Sequence, residues 1–237
     1  MTSTLGTVLV TGGASGLGAA VARAVADEGG RPLVLDRRMP DPDLLDVPAG
    51  DVGLVDLADA RAAESAVRAL VETTGGRLDA VVTCAGTDAC GRFDDVEGDD
   101  WDRVVQVNLI GTAAVIRAAL PALLNGDGGR VVTVASTLGL RVLSDATAYC
   151  ASKFGVIGFS RALAIETQGR LGVTTLVPGG MQTAFFDGRP EQYRPGADAK
   201  LNRPQDVAAA VLFALRQPPG CEIRELVVTP SVEGSWP

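Results

Sequence analysis

Tyr149 and Lys153 stand four residues apart in a stretch that reads as helix, so their side chains share one face. The chain has two tyrosines and two lysines, and nearly all its other basic residues are arginine. A phenol titrates at about 10 in water. A neighbouring ammonium favours the phenolate and lowers that value, so Tyr149 can give or take a proton at an alcohol oxygen. Lysine is not interchangeable with arginine here, because a compact ammonium can lie near a phenol and a ribose hydroxyl together. Ser136, expected to end the fifth strand, can hydrogen-bond the same substrate oxygen.

The absence of histidine narrows the acid/base candidates. It excludes Ser-His-Asp and Cys-His hydrolysis, a histidine general base and His-ligated zinc. Cys84, Cys90, Cys150 and Cys221 form no CxxC pair, so no metal site is expected. The net charge of −8 speaks against nucleic acid or an acidic membrane surface as a partner.

A second constellation lies near the N-terminus, in Thr11-Gly12-Gly13-Ala14-Ser15-Gly16-Leu17-Gly18. Gly12 permits a tight turn, Gly16 lets backbone N–H groups approach a pyrophosphate, and Gly18 allows close helix–strand packing. The stretch follows a strand and opens a helix, which is the setting for dinucleotide binding. No Gly-Lys-Ser/Thr follows, which disfavours a nucleotide triphosphatase. Asp36 ends the second strand about 20 residues further on, where a carboxylate can accept both ribose hydroxyls of NAD and repel a 2′-phosphate. Arg37 and Arg38 come next and could pair such a phosphate. Gly13–Gly16 contains no basic residue, however, so NAD is expected over NADP.

The elements that must position these groups alternate along the chain. Short β-branched runs at 7–10, 32–35, 51–55, 79–83, 130–135, 173–177 and 226–229 read as strands. Helical stretches fall at 19–28, 59–73, 99–124, 148–166 and 204–216, with Asp99 or Asp100 as a cap for the third and Pro204 in the first turn of the last. Residues 37–50 carry Pro40, Pro42 and Pro48 and are expected to form a loop, not a full helix. The apolar run 104–124 is broken by Asn108, Arg117 and Pro121, so it is not read as a membrane span. The start lacks the basic region of a secretory leader, and a cytoplasmic protein with reduced thiols is expected.

Strand–helix alternation over all 237 residues predicts one α/β domain, a doubly wound parallel sheet of about seven strands with helices on both faces. Ligands bind such sheets at the carboxyl ends of the strands. Those ends are Thr11, Asp36, Asp56, Cys84, Ser136 and Pro178.

The chain resembles the short-chain dehydrogenase/reductase family over essentially its whole length. The motifs, in order, are Thr11 to Gly18, Asp56-Leu57, Cys84-Ala85-Gly86, Asn108, Ser136, Tyr149-Cys-Ala-Ser-Lys153, and Pro178-Gly179 with Thr183. The resemblance implies a Rossmann-type fold, a nicotinamide cofactor and hydride transfer. It implies that Tyr149 is the acid/base, Ser136 orients substrate, and Lys153 binds the nicotinamide ribose and lowers the tyrosine pKa. It further implies that Asn108 holds a water linking Lys153 to solvent. Asp56 would contact adenine, Cys84-Ala85-Gly86 would line the adenine-ribose side, and Thr183 would hold the carboxamide end. The family assembles as tetramers or dimers through the two long helices, here near 99–124 and 148–166. Two departures stand out: the family commonly has Asn where Cys84 stands, and the helix between the second and third strands is shortened.

The expected reaction is hydride transfer between NAD and a secondary alcohol or ketone. A 3-oxoacyl-thioester (acyl-carrier-protein) reductase is the alternative, which Asp36 opposes because that activity prefers NADPH. A non-catalytic dinucleotide sensor is disfavoured because Tyr149 and Lys153 are both present. Substrate selectivity is assigned to Thr87-Asp88, Thr137-Leu138, Leu143, Met181-Gln182 and 185–203. The last of these, within an irregular stretch at 180–203, carries Phe185, Phe186 and Arg189 and is expected to act as a mobile lid.

Overall fold

Val8, Leu9 and Val10 are fully buried, as are Leu33, Val34 and Leu35, so the central strands are covered on both faces. Alternate residues point to opposite sides. Leu9, Leu33, Leu35, Val81 and Val131 join one apolar cluster, while Val8, Val10, Val34, Val82 and Val132 join another. The computed structural model describes residues 5–126 and 128–234. Within them, seven strands form one parallel sheet: β1 Thr7–Thr11, β2 Arg31–Asp36, β3 Val52–Leu54, β4 Ala80–Thr83, β5 Gly129–Val134, β6 Leu171–Pro178 and β7 Glu225–Val228. Their order is β3-β2-β1-β4-β5-β6-β7. The winding reverses between β1 and β4, which opens a crevice at their carboxyl ends.

α1 (Gly16–Asp27) and α6 (Pro204–Leu215) pack on one face through Val21, Val25, Val207 and Val211. α2 (Ala60–Glu72), α4 (Thr112–Leu124) and α5 (Thr147–Glu166) cover the other through Val67, Leu70, Val115, Ile116 and Leu163. Asp59 caps α2 by accepting from Arg61 and Ala62 N–H at 3.0 and 2.9 Å. Residues 37–48 form no helix, as the prolines require, and a single 3-10 turn at Ala49–Asp51 leads into β3.

The expected unbroken helix over 99–124 is not what forms. α3 (Gly98–Val105) passes into a π-helical segment, Gln106–Gly111, before α4 begins. Its N-cap is Glu97, without a side-chain bond, and Asp99 and Asp100 lie within the first turn. There they face the positive end of the helix dipole instead of capping it. Gly98–Leu124 is long and apolar enough to cross a membrane by length and composition. In this fold its Val104, Val115, Ile116, Ala119 and Leu123 are buried in the protein.

Residues 180–203 leave the sheet after β6 and return to the point they left. Met181 pairs with Asn202, Gln182 N–H donates to the Asn202 carbonyl at 2.9 Å, and Asn202 N–H to the Gly180 carbonyl at 2.9 Å. Two 3-10 turns, Ala184–Phe186 and Glu191–Tyr193, lie inside the excursion.

Candidate active site at the carboxyl ends of the strands

The glycine turn joins β1 to α1. Gly12 and Gly16 adopt φ of +69° and +54°, a region that penalises a side chain. A Cβ on Gly18 would collide with the Gly12 carbonyl oxygen, so only glycine lets α1 pack this closely. Ser15 is the N-cap of α1, but its hydroxyl makes no bond to the first turn. Ser15, Gly16, Leu17 and Gly18 therefore present the start of a helix with no side-chain cap, as a pyrophosphate site requires. Asp36 ends β2 beside this turn. Its Oδ2 accepts from Ala14 N–H at 3.0 Å and its Oδ1 from Arg38 N–H at 3.1 Å. Arg37 follows, exposed, and its charge is felt at Asp56.

Asp56 follows β3 and is held by Ala58 N–H at 2.9 Å and Arg103 Nη2 at 2.6 Å. Burial works against its charge, but these two donors hold its carboxyl below the ordinary range. Leu57 is buried next to it, and its carbonyl lies close under Gly111. Sequence reading did not find Arg103, whose only signal is a cation in the last turn of α3.

Cys84, Ala85 and Gly86 continue from β4. Burial pushes the Cys84 thiol up to about 12, with the Lys153 charge opposing, so it stays protonated. Ala85 N–H donates to the Thr11 hydroxyl at 3.1 Å, tying the ends of β1 and β4 together across the crevice. A Cβ on Gly86 would lie 3.4 Å from Asn108 Oδ1 and 3.8 Å from Lys153 Nζ, so this glycine keeps space open beside both.

The π-helical segment aims Asn108 inward. The Asn108 amide clamps residue 87, accepting from Thr87 N–H at 2.8 Å and donating to the Thr87 carbonyl at 2.9 Å. Its Nδ2 also donates to Ser152 Oγ at 3.0 Å, and Ser152 donates to the Tyr149 carbonyl at 2.8 Å. Ser152, inside the Tyr–Lys motif, was not singled out from sequence.

Ser136, at the end of β5, and Tyr149 and Lys153, on α5, converge. Ser136 is buried and its hydroxyl bonds to the Tyr149 phenol and accepts from Leu138 N–H at 3.1 Å. Lys153 is buried, donates to the Val134 carbonyl at 2.8 Å, and lies 5.5 Å from the centre of the Tyr149 ring. Burial pushes Lys153 down to about 8. Burial also raises the Tyr149 phenol well above its ordinary value, with the Ser136 bond pulling the other way. This differs from the expectation of a depressed tyrosine. The site's low polarity outweighs the Ser136 bond and the Arg189 charge at Tyr149, and it disfavours both charged forms.

Pro178 ends β6, Gly179 donates to the Val228 carbonyl at 3.0 Å, and Gly180 N–H donates to Glu233 at 3.2 Å. Thr183 approaches the glycine turn, with its Cγ2 3.3 Å from where a Gly16 Cβ would be. Beyond it, the Phe185 ring lies 5.6 Å from the Tyr149 ring.

An uncapped helix start at the switch point, an acidic residue ending β2, and a Ser/Tyr/Lys cluster at the next strand ends define a dinucleotide-dependent oxidoreductase. Residues 6–194 match the short chain dehydrogenase family, and the chain belongs to it. The family binds a nicotinamide dinucleotide and acts on CH–OH groups. An uncharacterized oxidoreductase of Staphylococcus aureus (strain MW2) is 31% identical over 227 residues, covering 94% of this chain and 96% of that protein. A glycine betaine reductase of Emericella nidulans is 33% identical over 237 residues, covering 95% of this chain but 19% of that larger protein. Two solved structures share the fold. Ligand-free aldohexose dehydrogenase of Thermoplasma acidophilum has a TM-score of 0.79 at 23% identity, covering 94% of this chain and 92% of its own. An alcohol dehydrogenase of Thermococcus sibiricus complexed with 5-hydroxy-NADP has a TM-score of 0.81 at 24% identity, covering 94% and 95%.

Proposed function

We propose that this protein transfers hydride between NAD(H) and a secondary alcohol or ketone, with Tyr149 as the acid/base. The observation that carries the reading is the convergence of the Ser136 hydroxyl on the Tyr149 phenol, with the Lys153 ammonium beside the ring. A nicotinamide bound here would accept or supply the hydride, and in the oxidising direction the phenolate form of Tyr149 takes the O–H proton of the alcohol. In the reducing direction the phenol returns the proton to the carbonyl oxygen, and its raised pKa keeps it protonated for that role. Ser136 holds the reacting oxygen. Lys153 binds the nicotinamide ribose and passes protons by way of water held at Asn108. The glycine turn holds the pyrophosphate, Asp56 and Leu57 border the adenine, and Cys84 to Gly86 line the ribose side. Pro178, Gly179 and Thr183 hold the carboxamide end.

Asp36 supports NAD over NADP, because its carboxylate faces the glycine turn where a 2′-phosphate would be repelled. Residues 180–203 act as a lid on the single domain, hinged where Met181 meets Asn202. The protein works as a homo-oligomer in the cytoplasm, which suits its four free cysteines.

Tyr149→Phe tests the mechanism. Turnover should drop at least about 100-fold while NADH still binds, as nucleotide fluorescence would read. Wild-type turnover in that variant sinks the acid/base role. Titrating NADH and NADPH side by side tests the cofactor, and tighter NADPH binding would overturn the assignment made from Asp36.

A further inference from the structure

Proton transfer by Tyr149 makes no use of one ion pair that lies where substrate must enter. Arg189 Nη2 stands 2.8 Å from Asp88 Oδ2, with the two side chains 15% and 6% exposed. Asp88 also accepts from Ala89 N–H at 2.8 Å and from the Cys90 thiol at 3.1 Å. The guanidinium stacks 4.6 Å from the centre of Phe185 and 4.7 Å from that of Phe186. Phe185 in turn lies on Tyr149. Both charges reach the Tyr149 phenol with opposite effect, and Asp88 also reaches Lys153. A carboxylate and a guanidinium thus meet at the catalytic tyrosine, one from the loop after β4 and one from the 180–203 excursion.

We propose that Asp88 and Arg189 are specificity-determining residues that select an uncharged substrate bearing a second hydroxyl beside the reacting carbon, a vicinal diol or its hydroxyketone. This rests on the reading of Tyr149 as acid/base at an alcohol or carbonyl. Charge balance around the pair decides the substrate class. A substrate carboxylate would have to draw Arg189 away from Asp88 and leave a buried carboxylate without its counter-charge. A substrate ammonium would strand Arg189 in the same way. Breaking a buried pair from one side is strongly unfavourable. An apolar substrate would strip water from the pair and give nothing back. A hydroxyl is both donor and acceptor. It can donate to Asp88 and accept from Arg189 while the pair stays intact. Phe185 meanwhile covers the carbon skeleton against Tyr149.

The test compares three substrates with NAD: a vicinal diol, the mono-alcohol of equal chain length, and the matching 2-hydroxy acid. Wild type should show the highest kcat/KM on the diol and the lowest on the acid. Asp88→Asn and Arg189→Gln should each lower kcat/KM on the diol by about 10–100-fold, mostly through KM. The mono-alcohol rate should fall by a smaller factor and through kcat, because both charges reach Tyr149 but the mono-alcohol lacks the group the pair holds. NADH affinity should not change. Arg189→Lys keeps the charge on an exposed loop and should retain part of the diol preference, which covers a folding defect in the other two. A wild type that prefers the hydroxy acid, or that binds NADH and turns over none of the three, overturns the proposal. So do variants that lose equally on diol and mono-alcohol, since that would mark a purely structural pair. Turnover that survives Tyr149→Phe would instead overturn the acid/base reading, so the two failures are distinct.

Discussion

At Lys153 the site disfavours a charge that the proposed chemistry needs. The side chain is buried with the Val134 carbonyl as its hydrogen-bond acceptor, and burial brings its pKa to about 8 from 10.5. The unfolded chain therefore holds more protons than the folded one between about 8 and 10.5. Stability must rise with pH through that window, and the penalty is fully present below it. The expected result is that apo wild type gains stability relative to Lys153→Met as pH rises from 8 to 10.5, with no relative change between pH 6 and 7. Urea midpoints at each pH would check it, and a flat difference across the window would refute it. Tyr149, Lys153 and Ser136 were legible in the sequence because phenol and ammonium are rare in this chain and stand at helical spacing. Their electrostatic balance was not, because desolvation depends on what packs around a group and not on its neighbours in sequence. The Asp88–Arg189 contact was equally hidden. Both residues were assigned to the substrate region, but nothing in their separation along the chain announces that they touch.

The π-helical segment is the element that sequence periodicity missed. An apolar run of this length reads as one helix, and a single wider turn shifts the pattern too little to show. The clue is Asn108 itself, a polar residue in the middle of the run. The wider turn carries it into the crevice, where it satisfies both backbone groups of Thr87 and reaches Ser152. Asn108→Ala leaves the Thr87 N–H and carbonyl without those partners in a partly buried place, which should cost about 1–3 kcal/mol. Turnover should fall in the same variant, because residue 87 follows Gly86, which borders the Lys153 ammonium. NADH affinity should fall less than turnover, since the pyrophosphate contacts lie on the β1–α1 side. A variant with a lowered denaturation midpoint and unchanged kcat would assign Asn108 to scaffolding alone. The loop at 37–48 shows the opposite case. Three prolines in that region are a local instruction, and the chain obeys it.

On the scale of the whole molecule, the strand–helix alternation was enough to give the parallel sheet, because few topologies satisfy that pattern. It could not say which outer faces stay uncovered. Ile110, at the end of the π-helical segment, is 46% exposed, and Phe154, on neighbouring α5, is 44% exposed. Ile165, further along α5, also faces outward. Large apolar side chains exposed on two adjoining helices favour burial against another copy of the chain, and a symmetric dimer buries the same patch twice. A lasting association needs roughly 1,000 Å² or more of buried surface, which two long helices can supply. Phe154→Glu places two like charges near the symmetry axis of such a contact. Light scattering should show wild type as a dimer or tetramer and the variant at a lower mass. Phe154 follows Lys153 directly, so loss of the contact should also loosen the helix that carries Tyr149 and reduce kcat. A variant that keeps the wild-type mass would place the interface elsewhere, and the exposed Phe213 on α6 beside the open edge of β7 would be the next face to alter.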